Sequence, residues 1–257
     1  MKISIITVVR NNSETIRQAI ESVLNQTYDN LEYVVIDGKS TDGTLEILKT
    51  YNDKIDVLLS EKDRGIYEAM NKGIDNATGD IIGFLNSDDL YYDKDVLANV
   101  IKKFKQNPLL EACYADLIYV NRFDTSQIIR YWKSNQFVSG TFSRGWSPPH
   151  PTFFVRSNIY KKLGGFNLKY DIASDVELMM RFLEVNKINV EYCHQLWVKM
   201  RLGGVSNKRL GNIIKQNLEV LDALKNHNLS KSSLTFIFCK LLSRFKQYLK
   251  KPTNILS

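Results

Sequence analysis

This sequence of 257 residues has few cysteines and no long apolar segment, which argues against several classes of protein. Its three cysteines, Cys113, Cys193 and Cys239, are odd in number and far apart. They have no zinc-binding spacing and argue against a disulfide framework, so we expect a reducing compartment. No segment reaches the roughly 18 apolar residues that a membrane span needs. The N-terminus has no apolar core of signal length, so we expect no signal peptide.

Acidic residues are absent after Asp222. The formal net charge of +7 therefore lies entirely in the tail, which carries Lys225, Lys231, Lys240, Arg244, Lys246, Lys250 and Lys251. A basic tail indicates an anionic surface, either a membrane or a nucleic acid. Apolar residues recur at helical spacing from Leu234 to Leu249, and Pro252 ends the pattern. An amphipathic basic helix favours a membrane interface, and we expect no nucleic-acid partner. Packing of this helix on the body or on a second copy would explain its apolar residues but not the missing acids.

The glycine-rich fingerprint G-x-G-x-x-G is also missing after the first predicted strand, which argues against a Rossmann dehydrogenase. The first half instead alternates strands with helices, and we predict its strands at residues 2–9, 31–36, 55–59 and 81–85. This alternation predicts βαβ units and a mostly parallel sheet. Ligands bind such sheets at the carboxyl ends of the strands. The second half is less regular, and its segment Gly140–Pro149, rich in Gly, Ser and Pro, is predicted to be a mobile loop over the site.

The fourth predicted strand stops abruptly at Asn86-Ser87-Asp88-Asp89. Two adjacent carboxylates at the end of a buried strand are costly unless a cation or ligand faces them. A hard divalent ion prefers oxygen ligands and keeps positions for water and phosphate oxygens. One interpretation is therefore a Mn²⁺ or Mg²⁺ site that holds a diphosphate. The other is a strand-to-helix turn in which Asp88 or Asp89 caps the next helix.

Four consecutive segments of residues 1–92 resemble the family 2 glycosyltransferases, namely SIITVVRNN, VVIDGKSTDGT, EKDRGIYEAMNKGIDNATGD and IIGFLNSDD. Three later segments, HPTFFVR, LGGFN and SDVELMMR, are also similar to that family, so the resemblance covers about residues 1–207. It implies the GT-A fold, an α/β fold with a mostly parallel, Rossmann-like sheet flanked by helices. One departure is Asn86, because the family's turn often reads Asp-x-Asp-Asp. This leaves Asp88 and Asp89 as the carboxylates of the turn.

The domain organisation follows from the extent of this resemblance. We expect a GT-A domain over residues 1–207, in which residues 1–92 bind the nucleotide and residues 93–207 bind the acceptor. Residues 208–257 are predicted to be a basic tail of amphipathic helices.

The resemblance also implies which residues bind a nucleotide sugar. Asp89 is predicted as the direct ligand of Mn²⁺ or Mg²⁺, and Asp88 as a contact to the ribose or to metal-bound water. Asp37 can accept the N3 hydrogen of uracil, or it can be a turn-forming aspartate before glycine. Thr7 and Val9 would offer backbone groups to the base. Arg64 could contact a phosphate, or pair with Asp63 or Glu61 on the surface.

An acceptor hydroxyl needs a general base, and Asp175 is the candidate by resemblance. The alternative for Asp175 is a helix N-cap, as for Ser174, and a capping aspartate can still face a cleft. His150 is the rival base or an acceptor contact, although a histidine before proline is more often structural. Glu177 is a further rival.

The sequence thus predicts an inverting, metal-dependent glycosyltransferase that uses a UDP-sugar. By resemblance its acceptor is a glycan or a lipid-linked glycan of surface polysaccharide synthesis, such as O-antigen, capsule or exopolysaccharide. We expect a cytoplasmic enzyme held at the inner face of the cell membrane, and the sequence leaves its oligomeric state open. The alternatives are a sugar-nucleotide nucleotidyltransferase, whose glycine-bearing loop is missing here, and a non-catalytic sugar-binding protein on the same fold.

Overall fold

The structure is a computed structural model, and it describes residues 1–203, 210–230, 232 and 235–242. The predicted boundary at residue 207 and most of the basic tail, including Arg244, Lys246, Lys250 and Lys251, lie outside the described residues.

The strands of the described residues form one sheet. They are β1 (Ile3–Val9), β2 (Leu31–Asp37), β3 (Val57–Ser60), β4 (Ile81–Phe84), β5 (Leu90–Tyr91), β6 (Ala112–Val120), β7 (Ile128–Trp132), β8 (Phe154–Arg156) and β9 (Val190–Arg201). The order across the sheet is β3-β2-β1-β4-β8-β6-β9-β5, and β7 pairs with β6.

The α-helices of the described residues lie between these strands and after them. They are α1 (Ile16–Leu24), α2 (Thr44–Lys49), α3 (Ile66–Asn76), α4 (Val96–Gln106), α5 (Ser157–Leu163), α6 (Ser174–Met180) and α7 (Leu210–Asn226). Residues 235–242 are also helical, and residues 181–185 continue α6 as a π-helical turn. No helix among these described residues is long and apolar enough to cross a membrane.

The strands of the first half pair in parallel, as predicted, because each is joined to the next by a helix. The second half differs from the mostly parallel prediction. β8 runs antiparallel to β4 and to β6, and β5 and β7 also pair antiparallel. Only β6 and β9 are parallel among the second-half pairs of the described chain. The sheet is therefore mixed, and the parallel half delivers four strand ends to one edge.

Two apolar clusters cover the two faces of this sheet. Alternate residues of β1 point to opposite faces, so Ile6 and Val8 join one cluster while Ile3 and Ile5 join the other. The first cluster lies under α3, α6 and α7, and the second lies under α1 and α4. Burial of each such side chain contributes roughly 1.5–3 kcal/mol relative to exposure. Both clusters together hold the strand ends rigidly in place.

The longest strand, β9, was missing from the sequence-based prediction. Its register against β6 shifts between Cys193 and Leu196, and the intervening His194 and Gln195 are exposed. This irregularity interrupts the alternation of apolar and polar residues by which a strand is recognised. β9 matters for the site because its last residue, Arg201, contacts the turn after β4.

The segment Gly140–Pro149 is folded in the structure rather than open. Phe142 is fully buried, and its ring packs on Phe137 and Trp146. The Glu184 carboxylate accepts the Gly140 N–H at 2.7 Å. Composition alone indicated a loop, but two aromatic anchors and a buried carboxylate fix this segment to the body.

Candidate active site

The turn after β4 holds Asp89 inside the protein. Asp89 has no exposed surface, and its Oδ2 accepts the Asn86 side-chain N–H at 2.7 Å. Its Oδ1 accepts the backbone N–H of Arg201 at 3.2 Å. Burial and then the charge of Asp88 raise the pKa of Asp89 well above its usual value. Asn86 therefore has a clear local role, because an amide can donate to this carboxylate and a second carboxylate would repel it.

Asp88 is the more accessible carboxylate of the turn, since its residue is only partly buried. Its backbone carbonyl accepts an N–H of Arg201 at 2.6 Å, which fixes the peptide of the turn. Neither Asp88 nor Asp89 supplies the N-cap of α4, which begins after Asp95. The helix-capping interpretation of the turn is therefore wrong.

Arg201 is a residue of this site that sequence analysis missed. It is 2% exposed and donates to the carbonyl oxygens of Asp88 and Arg122, while its other terminal nitrogen contacts Gln18. Burial lowers the pKa of Arg201, although the charges of Asp89 and Asp88 oppose this effect. A buried guanidinium with these partners supports the Asp-rich turn from behind. In the sequence, Arg201 is a single arginine at the end of an apolar segment. Such arginines are too common to indicate a site residue.

The nucleotide side of the predicted site lies at the ends of β1 and β2. Asp37 is fully buried, and its carboxylate accepts the Ser60 hydroxyl at 2.6 Å and the Ser40 N–H. The Asp63 side chain is 6% exposed and pairs through Oδ1 with Lys72 at 2.5 Å. Its Oδ2 is buried and has no hydrogen-bond partner among the described residues. This oxygen lies 3.3 Å from where a Cβ on Gly38 would stand, so it faces the end of β2.

Three other predicted contacts have less freedom to bind a ligand. Thr7 has no exposed surface, and its hydroxyl donates to the Leu85 carbonyl at 2.9 Å. The Val9 carbonyl accepts the Gly38 N–H at 2.8 Å. The Arg64 side chain is 80% exposed and pairs with Glu68, rather than with Asp63 or Glu61. The prediction for Thr7 and Val9 concerns their backbone groups, so both stay predicted contacts to the base.

Asp175 lies in the first turn of α6 and is half-buried. The Tyr67 hydroxyl donates to its Oδ1 at 3.1 Å and to the Ile172 carbonyl at 2.8 Å. Burial, followed by the charge of Asp175, raises the pKa of Tyr67 well above its usual value, so Tyr67 stays a donor. The N-cap of α6 is Ala173 with no side-chain cap, so the capping interpretation of Asp175 and Ser174 is wrong. Asp175 is thus an oriented carboxylate on the rim of the cleft.

His150 and Glu177 are the predicted rivals for the base, and they differ in environment. His150 is 7% exposed, and its Nε2 has no hydrogen-bond partner among the described residues. Burial lowers the pKa of His150 although Asp175 opposes it, which favours a neutral ring. Glu177 is 2% exposed and is engaged by Arg181 at 3.0 Å and His227 at 2.8 Å. Glu177 is therefore a structural carboxylate.

An aromatic cluster joins the two ends of the site. The Phe84 ring, which ends β4, lies 5.4 Å from the His150 ring and 5.3 Å from Phe166. Phe166 stacks on Tyr67 with centroids 5.4 Å apart, and Tyr67 binds Asp175. One aromatic wall therefore runs from Phe84, the last residue of β4, to Tyr67, which binds Asp175.

The residues at the strand ends fit a hard metal ion only in part. The described residues contain no group of three or more His, Cys, Asp or Glu side chains that could hold a metal ion. Asp88 offers a partly exposed carboxylate, which suits a divalent ion that keeps open positions for phosphate oxygens. A metal held here would need the diphosphate of the donor to complete its ligands.

This fold, with polar residues gathered at the ends of its parallel strands, is that of a GT-A glycosyltransferase. The family model described as Glycosyl transferase family 2 matches residues 4–173. The chain therefore belongs to glycosyltransferase family 2, and the GT-A fold predicted from its sequence is confirmed. Membership of this family argues against the nucleotidyltransferase alternative.

The chain is similar to curated glycosyltransferases over most of its length. It is 28% identical over 208 residues to the PGL/p-HBAD biosynthesis glycosyltransferase of Mycobacterium bovis, covering 79% of this chain and 78% of the relative. It is 32% identical over 232 residues to an uncharacterized glycosyltransferase of Rickettsia typhi, covering 86% of this chain and 70% of the relative.

Solved structures share the fold at lower identity. S. aureus TarS in complex with UDP-GlcNAc has a TM-score of 0.70 and 18% identity, covering 99% of this chain and 74% of that chain. A mannosyltransferase from Pyrobaculum calidifontis in complex with GDP-Man and Mn²⁺ has a TM-score of 0.66 and 18% identity, covering 94% and 69%.

Proposed function

We propose that this glycosyltransferase moves a sugar from UDP to an acceptor hydroxyl with inversion at the anomeric carbon. The observation that carries this proposal is the aromatic wall from Phe84 to Tyr67, in which Tyr67 binds Asp175 and Phe84 ends the strand that leads into the Asp-rich turn. A direct displacement needs a charge-neutralising group behind the leaving diphosphate and a base on the opposite side. A divalent ion held at the Asp-rich turn would supply the first, and Asp175 is the candidate for the second.

The uracil base is proposed to bind at the ends of β1 and β2. Asp63 Oδ2 is a buried carboxylate oxygen without a protein partner, and such an oxygen is costly unless a donor reaches it. The N3–H of uracil is a donor of this kind. From the sequence, Asp37 was predicted to accept this hydrogen itself. We propose that Asp37 also shapes the subsite, because its carboxylate binds Ser40 and Ser60 beside Gly38. Arg64 is exposed beside this subsite and remains our proposed phosphate contact.

The diphosphate is proposed to bind at the Asp-rich turn with Mn²⁺ or Mg²⁺. Asp88 is our preferred ligand, since Asp89 is buried and its two oxygens already accept hydrogen bonds. A divalent ion bound there would neutralise charge on the leaving diphosphate. Arg201 holds the turn in shape, and Asp89 anchors it to the end of β9.

The acceptor hydroxyl is proposed to lose its proton to Asp175. Tyr67 fixes one oxygen of this carboxylate, so the other can face the acceptor. His150 is proposed to line the same cavity as a neutral group, and its unpartnered Nε2 can accept a hydrogen bond from a sugar hydroxyl.

A panel of donors tests the proposed nucleotide. A ligand that binds only the folded state raises the apparent stability of the protein. We expect UDP-sugars with Mn²⁺ to raise Tm by more than GDP-sugars do, and Asp63→Asn to reduce this discrimination. Turnover of the stabilising donor separates an enzyme from a non-catalytic sugar-binding protein. Equal stabilisation by uridine and guanosine donors would refute the assignment of uridine.

The acceptor is proposed to be a lipid-linked glycan, which requires the enzyme to reach the inner face of the cell membrane. Exposed apolar side chains support this, since Ile214 and Leu218 of α7 are 61% and 62% exposed. Phe238 and Leu241 are 68% and 62% exposed on the neighbouring helix, which is joined to α7 through Lys240 and Asn217 at 2.7 Å. We call these four residues the apolar C-terminal face. Lys240 lies between Phe238 and Leu241 in the sequence.

Binding to anionic vesicles tests this proposal through a double variant, Phe238→Ser with Leu241→Ser. We expect it to lose most of its vesicle binding, because both side chains would enter the interface. Binding of the full-length protein should weaken with salt, because each basic residue contributes on the order of 1 kcal/mol near such a surface. Deleting residues 230–257 is a poorer test, since it also removes the fully buried Phe236. The matched control is Phe123→Ser, which changes an exposed aromatic outside this face. Undiminished binding by the double variant would contradict the proposal.

A further inference from the structure

We propose that Glu219 of α7 is a positioning residue that fixes the first turn of α6 and thereby orients Asp175. This inference rests on the proposed role of Asp175 as the base. Glu219 touches no reacting group itself, so its effect on the reaction would pass through the backbone that carries Asp175.

The contacts of Glu219 are directed at the start of α6. Its Oε2 accepts the backbone N–H groups of Ile172 and Ala173, both at 2.9 Å, and its Oε1 accepts that of Asp171 at 3.3 Å. The Glu219 side chain is 13% exposed, so these bonds are largely shielded from water. A carboxylate at a helix start also meets the positive end of the helix dipole.

No residue of α6 can replace this carboxylate. Ala173 occupies the N-cap and has no polar side chain, and the Ser174 hydroxyl donates backwards to the Asn167 carbonyl at 2.9 Å. The first N–H groups of a helix lack internal partners and need a cap. Glu219, 46 positions after Ala173, accepts the N–H of this N-cap residue and those of the two residues before it.

The Ile172 residue is held from both directions. Its N–H donates to Glu219, and its carbonyl accepts the Tyr67 hydroxyl at 2.8 Å. The same hydroxyl donates to Asp175. Loss of Glu219 would therefore remove the acceptor for the Ile172 N–H, and Ile172 would no longer hold Tyr67 and Asp175 in place. A displacement of about 1 Å at a reacting group can cost about 10²-fold in rate.

Asp222, one turn later on α7, offers a matched control. It accepts the Tyr170 hydroxyl at 2.9 Å and pairs with Lys169 at 2.5 Å, so it also joins α7 to the segment before α6. In the described chain, the N–H groups of Ile172 and Ala173 donate to Glu219 and not to Asp222. A general loosening of α7 should affect both variants, whereas a positioning effect should be confined to Glu219.

The experiment compares Glu219→Ala with Asp222→Ala in kcat, in donor affinity and in Tm. We expect Glu219→Ala to lower kcat by about 10- to 100-fold with donor affinity unchanged, and Asp222→Ala to have a much smaller effect. Glu219→Gln should recover most of the activity, because its amide oxygen can still accept the two N–H groups. Glu219→Met, which keeps the length and lacks an acceptor, replaces the alanine variant if that variant does not fold.

A double-mutant cycle with Asp175→Asn separates this inference from the proposed function. If Glu219 acts through Asp175, Glu219→Ala should lower kcat little further once Asp175 is asparagine. Full activity of Asp175→Asn would refute the proposed base. Two outcomes would overturn the positioning role alone, provided that Asp175→Asn is inactive. In the first, the losses of kcat from Glu219→Ala and Asp175→Asn are additive. In the second, Glu219→Ala and Asp222→Ala lose kcat equally.

Discussion

Replacing Asp175 with asparagine should lower kcat by about 10²- to 10⁴-fold, the usual contribution of a general base, with the affinity for the nucleotide sugar almost unchanged. The asparagine oxygen can still accept the Tyr67 hydroxyl, so the first turn of α6 should keep its geometry. What the variant loses is the ability to take a proton from the acceptor. Steady-state kinetics with varied acceptor, together with donor binding by calorimetry, measure the two effects separately.

His150→Phe and Glu177→Gln are the two controls for Asp175→Asn. His150→Phe preserves the aromatic contacts with Phe84 and Phe166 but removes the Nε2 atom. We expect it to raise KM for the acceptor more than it lowers kcat, since His150 is proposed to bind rather than to deprotonate. Glu177→Gln should act mainly on Tm, because the carboxylate joins Arg181 to His227 inside the protein. A greater loss of kcat in His150→Phe than in Asp175→Asn would make His150 the base.

The parallel half of the fold was predictable because its signals are local. Strands buried on both faces have continuous apolar runs, and β1, β2 and β4 match the predicted segments to within one residue at each end. The carboxyl ends of β1, β2 and β4 then bring Asp37 and the Asp-rich turn to one edge without any further information. Sequence analysis could therefore place these polar residues at the same edge of the sheet.

The second half was less predictable because its determinants are not local. Arg201 reaches the Asp-rich turn only through a strand with an irregular register, and Glu219 reaches α6 only through the packing of α7. The roles of the individual carboxylates within a motif also depend on the fold. The pair Asp88-Asp89 marks the turn, but only the folded chain shows that Asp89 is fully buried while Asp88 is partly exposed.

That distinction leads to the other large expected effect, in which Asp88→Ala removes the metal dependence of the enzyme. We expect donor binding to become independent of Mn²⁺ and kcat to fall by about 10²-fold or more, because neutralising the leaving diphosphate is worth several kcal/mol. The fold should persist, since the Arg201 bond to residue 88 is made by the backbone carbonyl. Calorimetry of UDP binding with and without Mn²⁺ measures the metal dependence, and thermal unfolding monitors the fold.

The matched variant is Asp89→Ala, which removes the carboxylate that sequence analysis predicted as the direct metal ligand. The structure predicts a loss of stability instead, because this change leaves the partly buried Asn86 amide and the Arg201 N–H without their acceptor. We expect it to lower stability by about 1–3 kcal/mol. Asp89→Asn keeps an acceptor for one of these groups and should retain Mn²⁺-dependent binding of UDP. If Asp89→Asn loses Mn²⁺-dependent binding of UDP and Asp88→Ala retains it, Asp89 is the metal ligand. The opposite pattern would show that Asp89 shapes the turn and that Asp88 meets the ion.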